Sequence, residues 1–197
     1  FGRSVEDVAL GIAAMSGDHG LAVVNELHNK PRIGICKTAN WSHAQKETAT
    51  ALAIARHAAE SICKGTVGDQ KLPKACDGLT QAQTNIMMSE MSRSLLFERV
   101  HFPKKINPLI SKLLNDGALI SYEQYAKDLS MVERAKASVA DLFSNEIDIL
   151  IAPSATGEAP LIKDGTGDPI FCRDWSMLGL PCININVASG PNGLPVG

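Results

Sequence analysis

Residues 147–152, Ile-Asp-Ile-Leu-Ile-Ala closed by Pro153, constrain this chain more than any other stretch. A short, nearly continuous apolar run ended by proline suits a strand covered on both faces, as in the parallel sheets of α/β proteins. A second strand is expected at 31–36, where Ile33 and Ile35 alternate to one face. An alanine-rich helix follows over 46–64, stopped by Gly65. Strand followed by helix is the first half of a βαβ unit. The fold class is therefore α/β: a mixed, largely parallel sheet covered by helices on both faces, in a single unit over 1–197.

Local signals place the remaining elements. Ser4 caps a helix whose first turn carries Glu6 and Asp7, whose apolar face is Val5, Val8, Ala9, Ile12 and Met15, and whose stop is Gly17. A helix over 80–98 sets Met87, Met91 and Leu95 on one face, and packing explains that stripe better than a flexible binding groove does. Asn107-Pro108 opens the next helix, which Leu109, Leu113 and Leu114 carry to Gly117. Residues 121–124 have capping-box spacing before a long helix faced by Tyr125, Leu129, Val132, Val139 and Leu142. Residues 154–174, rich in Gly, Pro, Thr and Asp, read as an ordered loop of a length often tied to function. Residues 182–187 alternate as a strand with one polar face, and the glycine-rich 190–197 reads as a tight turn between strands.

Composition excludes several classes of function. With 19 basic and 21 acidic residues and no long basic run, the electrostatic footprint of a nucleic-acid binder is absent. No apolar run approaches the ~18 residues of a membrane span, so no membrane partner is expected. No signal peptide is recognisable, and a chain opening at Phe1 reads as cut from something longer. The five cysteines (Cys36, Cys63, Cys76, Cys172 and Cys182) lack CxxC spacing, which suits reduced thiols in a cytoplasmic protein rather than a disulfide framework or zinc site. Asn40-Trp41-Ser42 matches a glycosylation sequon that a cytoplasmic chain would not use.

The chemistry of a hydrolase is not visible in the residues themselves. The G-x-S-x-G elbow is missing, and the histidines (His19, His28, His43, His57 and His101) are scattered without HExxH spacing, so neither a metal nor another cofactor is expected. Ser154 directly follows a strand, but Pro153 precedes it and no histidine is near in sequence. Cys36 and His43 are close enough to consider for thiol chemistry, yet nothing favours that over a structural cysteine. Glu90 with Arg93, and Glu133 with Lys136, have the spacing of solvated helix ion pairs worth a few tenths of a kcal/mol.

Six collinear segments nevertheless resemble the amidase-signature family: GRSVEDVAL at 2–10, PRIGICK with Trp41 at 31–41, the helix ending EMSR at 90–93, DILIAPSATGEAP at 148–160, TGDPIFCRDWSMLGLP at 166–181, and NGLPVG at 192–197. The resemblance runs through nearly the whole chain and implies the C-terminal part of that fold. It also implies a parent enzyme that hydrolyses the C–N bond of small carboxamides through an acyl-enzyme, using a Ser–cis-Ser–Lys triad. All three triad members fall upstream of the segment resembled by 1–10. No residue here matches them, so no catalytic residue is assigned and the isolated chain is expected to be inactive.

By position within the resemblance, Phe171, Arg173, Asp174, Trp175 and Leu178 are the substrate-pocket candidates, with Trp175 and Leu178 equally readable as core. Asp174 departs from the usual family residue. The expected partners are a small-molecule amide and either a second copy or the missing N-terminal half. Two alternatives stand beside the amidase: a glutamyl-tRNA amidotransferase A-type subunit releasing ammonia from glutamine, and a non-catalytic binding or assembly domain.

Overall fold

The computed structural model describes residues 1–23 and 29–197; His28 lies outside them. The unit expected over 1–197 is described as two compact units, Phe1–Lys30 and Pro31–Gly197.

In the first unit, α1 (Val5–Ser16) starts where the Ser4 hydroxyl accepts the Asp7 N–H at 3.2 Å. It stops at Gly17, whose left-handed φ of 75° lets its N–H reach the Ala13 carbonyl at 3.0 Å. Of the expected apolar face, Val5, Ile12 and Met15 are exposed.

The second unit is built on a small parallel sheet. The central strand β1 (Ile33–Ile35) pairs with β2 (Gly68–Asp69) on one side and with β3 (Ile149–Ile151) on the other. Helix α2 (Lys46–Glu60) crosses between β1 and β2 and completes the βαβ unit, whose second strand is too short to read from sequence. The helix ends before 64 because its last turn unwinds to seat Cys63 in the core beside Ile33, Ile35, Leu52, Ala59 and Val67, while Lys64 N–H bonds the Pro31 carbonyl. Arg32 locks β1 to β3. Its backbone N–H, Nε and Nη2 all donate to the Asp148 carboxylate, and its Nη1 donates to the Asn145 carbonyl. That fork holds Asp148 down at a pKa of about 2.

A helical layer carries the larger core. Helices α3 (Leu79–Ser94) and α6 (Tyr122–Asn145) meet along Leu79, Ala82 and Ile86 against Val132, Ala135 and Val139. Leu178 of α7 (Ile170–Leu178) closes the cluster. Each large apolar side chain seated there contributes about 1.5–3 kcal/mol. Helix α5 (Pro108–Ala118) is capped by Asn107, whose side chain accepts the Leu109 N–H. It lies so close to α3 that a Cβ on Gly117 would fall 2.0 Å from the Met88 carbonyl oxygen. Gly117 is thus a contact residue within α5 rather than its stop.

Several expectations need correction. The helix expected over 80–98 breaks at Leu95 (φ −102°, ψ 23°), and α4 (Leu96–His101) continues at a new angle. The residues α3 buries are Leu79, Ala82, Ile86, Ser89 and Ser92, with Met87 and Met91 half-buried at the flank. The capping box is half formed: Ser121 accepts the Gln124 N–H, but the Gln124 amide donates to Asp128. Leu129 is exposed. Glu133 pairs with Lys136 at 3.0 Å, whereas Glu90 accepts the Tyr125 hydroxyl and Arg93 stacks on the Tyr125 ring. β3 is an outer strand with Ile149 exposed, so the 147–152 run is not covered on both faces. Residues 181–187 form no strand of their own; the Val187 N–H bonds the Val196 carbonyl at 3.1 Å, and Ile183 and Ile185 stand exposed. Alternation shows that a segment can be a strand, not that a neighbour is there to pair with it. The turn at 190–194 does join two strands, β4 (Ala188–Ser189) and β5 (Pro195–Val196).

Candidate functional site

In parallel sheets, ligands bind beyond the carboxyl ends of the strands. Here the segments leaving β1 and β3 meet the start of α7 at that end. Cys36 N–H bonds the Ile151 carbonyl at 2.8 Å, Asn40 Nδ2 donates to the Ile170 carbonyl at 3.3 Å, and the Cys172 thiol donates to the Ser154 carbonyl at 3.2 Å. Thr38, in the turn leaving β1, has a φ of 57°. A β-branched residue in that region is strained by about 1–3 kcal/mol, and such strain gathers at functional sites. Its hydroxyl accepts the Asn40 N–H at 3.2 Å, which sets the loop that aims Asn40 at α7.

The expected loop 154–174 ends at Pro169, so all five pocket candidates lie on α7. Phe171, Asp174 and Leu178 share its buried face, at the helical spacing of three and four. Leu178 belongs to the helical core and Trp175 packs against that core half-buried. Arg173 is also half-buried.

Two rungs fix α7 to α3. Thr80 Oγ1 accepts from Asn40 Nδ2 at 3.1 Å and donates to Asp174 Oδ1 at 2.7 Å. One helical turn on, Thr84 Oγ1 donates to the Thr80 carbonyl at 3.0 Å and accepts from Arg173 Nη1 at 3.1 Å, while Arg173 Nη2 reaches Asp168 at 3.4 Å. Each hydroxyl is therefore both donor and acceptor. Asp174 is only 5% exposed, and burial raises its pKa, opposed by Thr80 and then by Arg173. Asn40, Thr80 and Thr84 were not legible as site residues. Their only sequence signal is the spacing of two threonines one turn apart, which says nothing of a partner.

The nucleophile candidates are accounted for by their contacts. Burial, followed by the Asp174 charge, pushes the Cys76 thiol up to about 11. Cys36 is buried and its thiol is likewise raised, chiefly by burial, whereas a reactive thiolate needs the opposite shift. Ser154 donates its hydroxyl to the Gly197 carbonyl at 2.6 Å. Glu158 organises the neighbouring turn. Burial works against its charge, but the Asn192 and Leu194 N–H groups and the Asn192 amide outweigh that and lower its pKa. Among the described residues no group of three His, Cys, Asp or Glu is placed to hold a metal ion, and no helix is long and apolar enough to cross a membrane.

No protein-family model matches the chain. Over 87 residues it is 31% identical to the A-type subunit of the mitochondrial glutamyl-tRNA(Gln) amidotransferase of Bos taurus, an alignment covering 39% of this chain and 16% of that protein. The crystal structure of an amidase is similar over 98% of this chain and 46% of its own length, with a TM-score of 0.81 at 18% identity. A bacterial aryl acylamidase of the amidase-signature family is similar over 99% of this chain and 47% of its own, with a TM-score of 0.62 at 17% identity. Through essentially its whole length the chain has the α/β fold of amidase-signature enzymes, and it spans just under half the length of the solved structures it matches.

Proposed function

We propose that this chain is the C-terminal portion of an amidase-signature hydrolase acting on small carboxamides, and that it supplies the scaffold of the substrate pocket rather than the groups that do the chemistry. The observation that carries this reading is the amidase match over 98% of this chain against 46% of the matched structure. The exposed Ile183 and Ile185 support it too, because they are large apolar side chains that further polypeptide would cover.

In the reaction proposed, a serine oxygen outside this chain attacks the amide carbonyl carbon and the C–N bond breaks. The leaving nitrogen takes a proton, and water then releases the acid from the acyl-enzyme. Arg173 and Trp175, the half-buried members of the candidate set, contact the acyl group, while Phe171, Asp174 and Leu178 hold α7 from behind. The five unpaired cysteines support a cytoplasmic location.

The test is acyl transfer to hydroxylamine by the protein in its full natural length, across aliphatic and aryl carboxamides. Hydroxamate should form, and W175A should change the ranking of substrates by tenfold or more. An unchanged ranking would remove α7 from the pocket.

The bovine relative supports a second reading, an amidotransferase component that releases ammonia from glutamine for transfer. Glutamine turnover that appears only with partner subunits and an acceptor aminoacyl-tRNA would favour it over the free amidase.

A further inference from the structure

Helix α4 is built inside out. On its inner side Arg99 reaches across to donate Nη1 to the Leu114 carbonyl of α5 at 3.0 Å. At 100° per residue, that orientation turns Phe97 and His101 to the opposite side, with Leu96 and Val100 on one flank. Phe97 and Val100 are each 61% exposed, Leu96 49% and Phe102 44%. The rings gather outside the fold, Phe97 stacking 4.6 Å from His101 and 5.9 Å from Phe102, and Lys105 covers Phe102 at 5.0 Å. Residues 96–105 carry Glu98 against Arg99, Lys104 and Lys105, a local excess of two positive charges on a chain whose formal net charge is -2.

We infer that this projection is a shallow anchor for an anionic membrane surface. The four apolar side chains expose roughly 400 Å² together, from the fractions above and the ~150–250 Å² an aromatic side chain presents. That is about half the ~800 Å² per partner of a stable protein–protein interface. A bilayer asks for less: a few aromatic and aliphatic tips below the headgroups, flanked by lysines facing anionic lipid. The lack of a membrane-spanning helix among the described residues bears on a helical crossing, not on this kind of contact.

The experiment is cosedimentation of the protein in its full natural length with vesicles of phosphatidylcholine containing 30% phosphatidylserine, against vesicles of phosphatidylcholine alone. Binding to the anionic vesicles only is expected, falling at least tenfold in F97S/V100S and in K104E/K105E, and falling again in 0.5 M salt. All four positions are exposed, so unchanged circular dichroism melts should accompany the losses. The inference is overturned by no binding to either vesicle, by variants that bind as well as the parent, or by a dimer in sedimentation equilibrium that F97S/V100S abolishes, which would make the patch a protein interface.

Discussion

Gly117 gives the sharpest quantitative test of the packing that holds α3 in place. An alanine Cβ there would lie 2.0 Å from the Met88 carbonyl oxygen and 2.4 Å from its carbon, both backbone atoms that no rotamer change can move. Ordinary contact begins at 3.4 Å, so α5 would have to shift by about 1.4 Å, pulling the buried Leu114 with it. Two effects compete. Alanine is favoured over glycine inside a helix by about 1 kcal/mol. Overpacking a close helix pair costs about 1–3 kcal/mol, and more where backbone must move. The clash should win, leaving G117A destabilised by about 2 kcal/mol. For a chain of this size that lowers the melting temperature by about 4–8 °C. Gly11 is the control, since a Cβ in the interior of α1 meets nothing within 4 Å there; G11A should hold or raise stability. Calorimetric melts of both variants decide the matter. A G117A protein as stable as the parent would mean that the α3–α5 contact is looser than described.

Four further outcomes are expected. Asp148 has a folded-state pKa of about 2, so its stabilising fork with Arg32 is fully present above the ordinary carboxylate range and is lost as pH falls toward 2; D148N should flatten that acid limb in urea melts taken across pH. Asp174 runs the other way. Its raised pKa gives a contribution that is fully present below the ordinary carboxylate range and is lost as pH climbs through the folded-state value, so D174N should remove that decline and hold or gain stability at pH 7. T80V removes the hydroxyl that donates to buried Asp174 and leaves Asn40 Nδ2 with the Ile170 carbonyl, and should cost about 2 kcal/mol or more in a denaturant melt, a larger loss than T84V. Thiol titration with an aromatic disulfide should label exposed Cys172 first, then Cys182, whose thiol partial burial raises, and should reach Cys36 and Cys63 only on unfolding.

What was legible in the sequence was local. Ser4 and Gly17, Asn107 and Pro108, and Ser121 mark helix ends through hydrogen bonds spanning two to four residues, and each behaves as its chemistry requires. The apolar runs at 31–36 and 147–152 likewise mark strands. What escaped depends on partners distant in the chain. Thr80 and Asp174 are 94 positions apart, and nothing in either segment announces the other. The break at Leu95 escaped as well, because Leu, Glu and Arg are good helix residues, and the contact that α4 makes with α5 through Arg99 leaves no local signal. Residues 182–187 show the reverse case, an alternating pattern that forms no strand of its own, with the Val187 N–H bonding the Val196 carbonyl at its end.

The central claim is that this chain builds part of an amidase pocket while the catalytic groups lie elsewhere in the protein. Ammonia release from a panel of small carboxamides, measured side by side for the protein in its full natural length and for residues 1–197 alone, tests it most directly. Turnover by the first and none by the second is the expected result. Turnover by residues 1–197 alone, or none by the full-length protein on any amide, would contradict it.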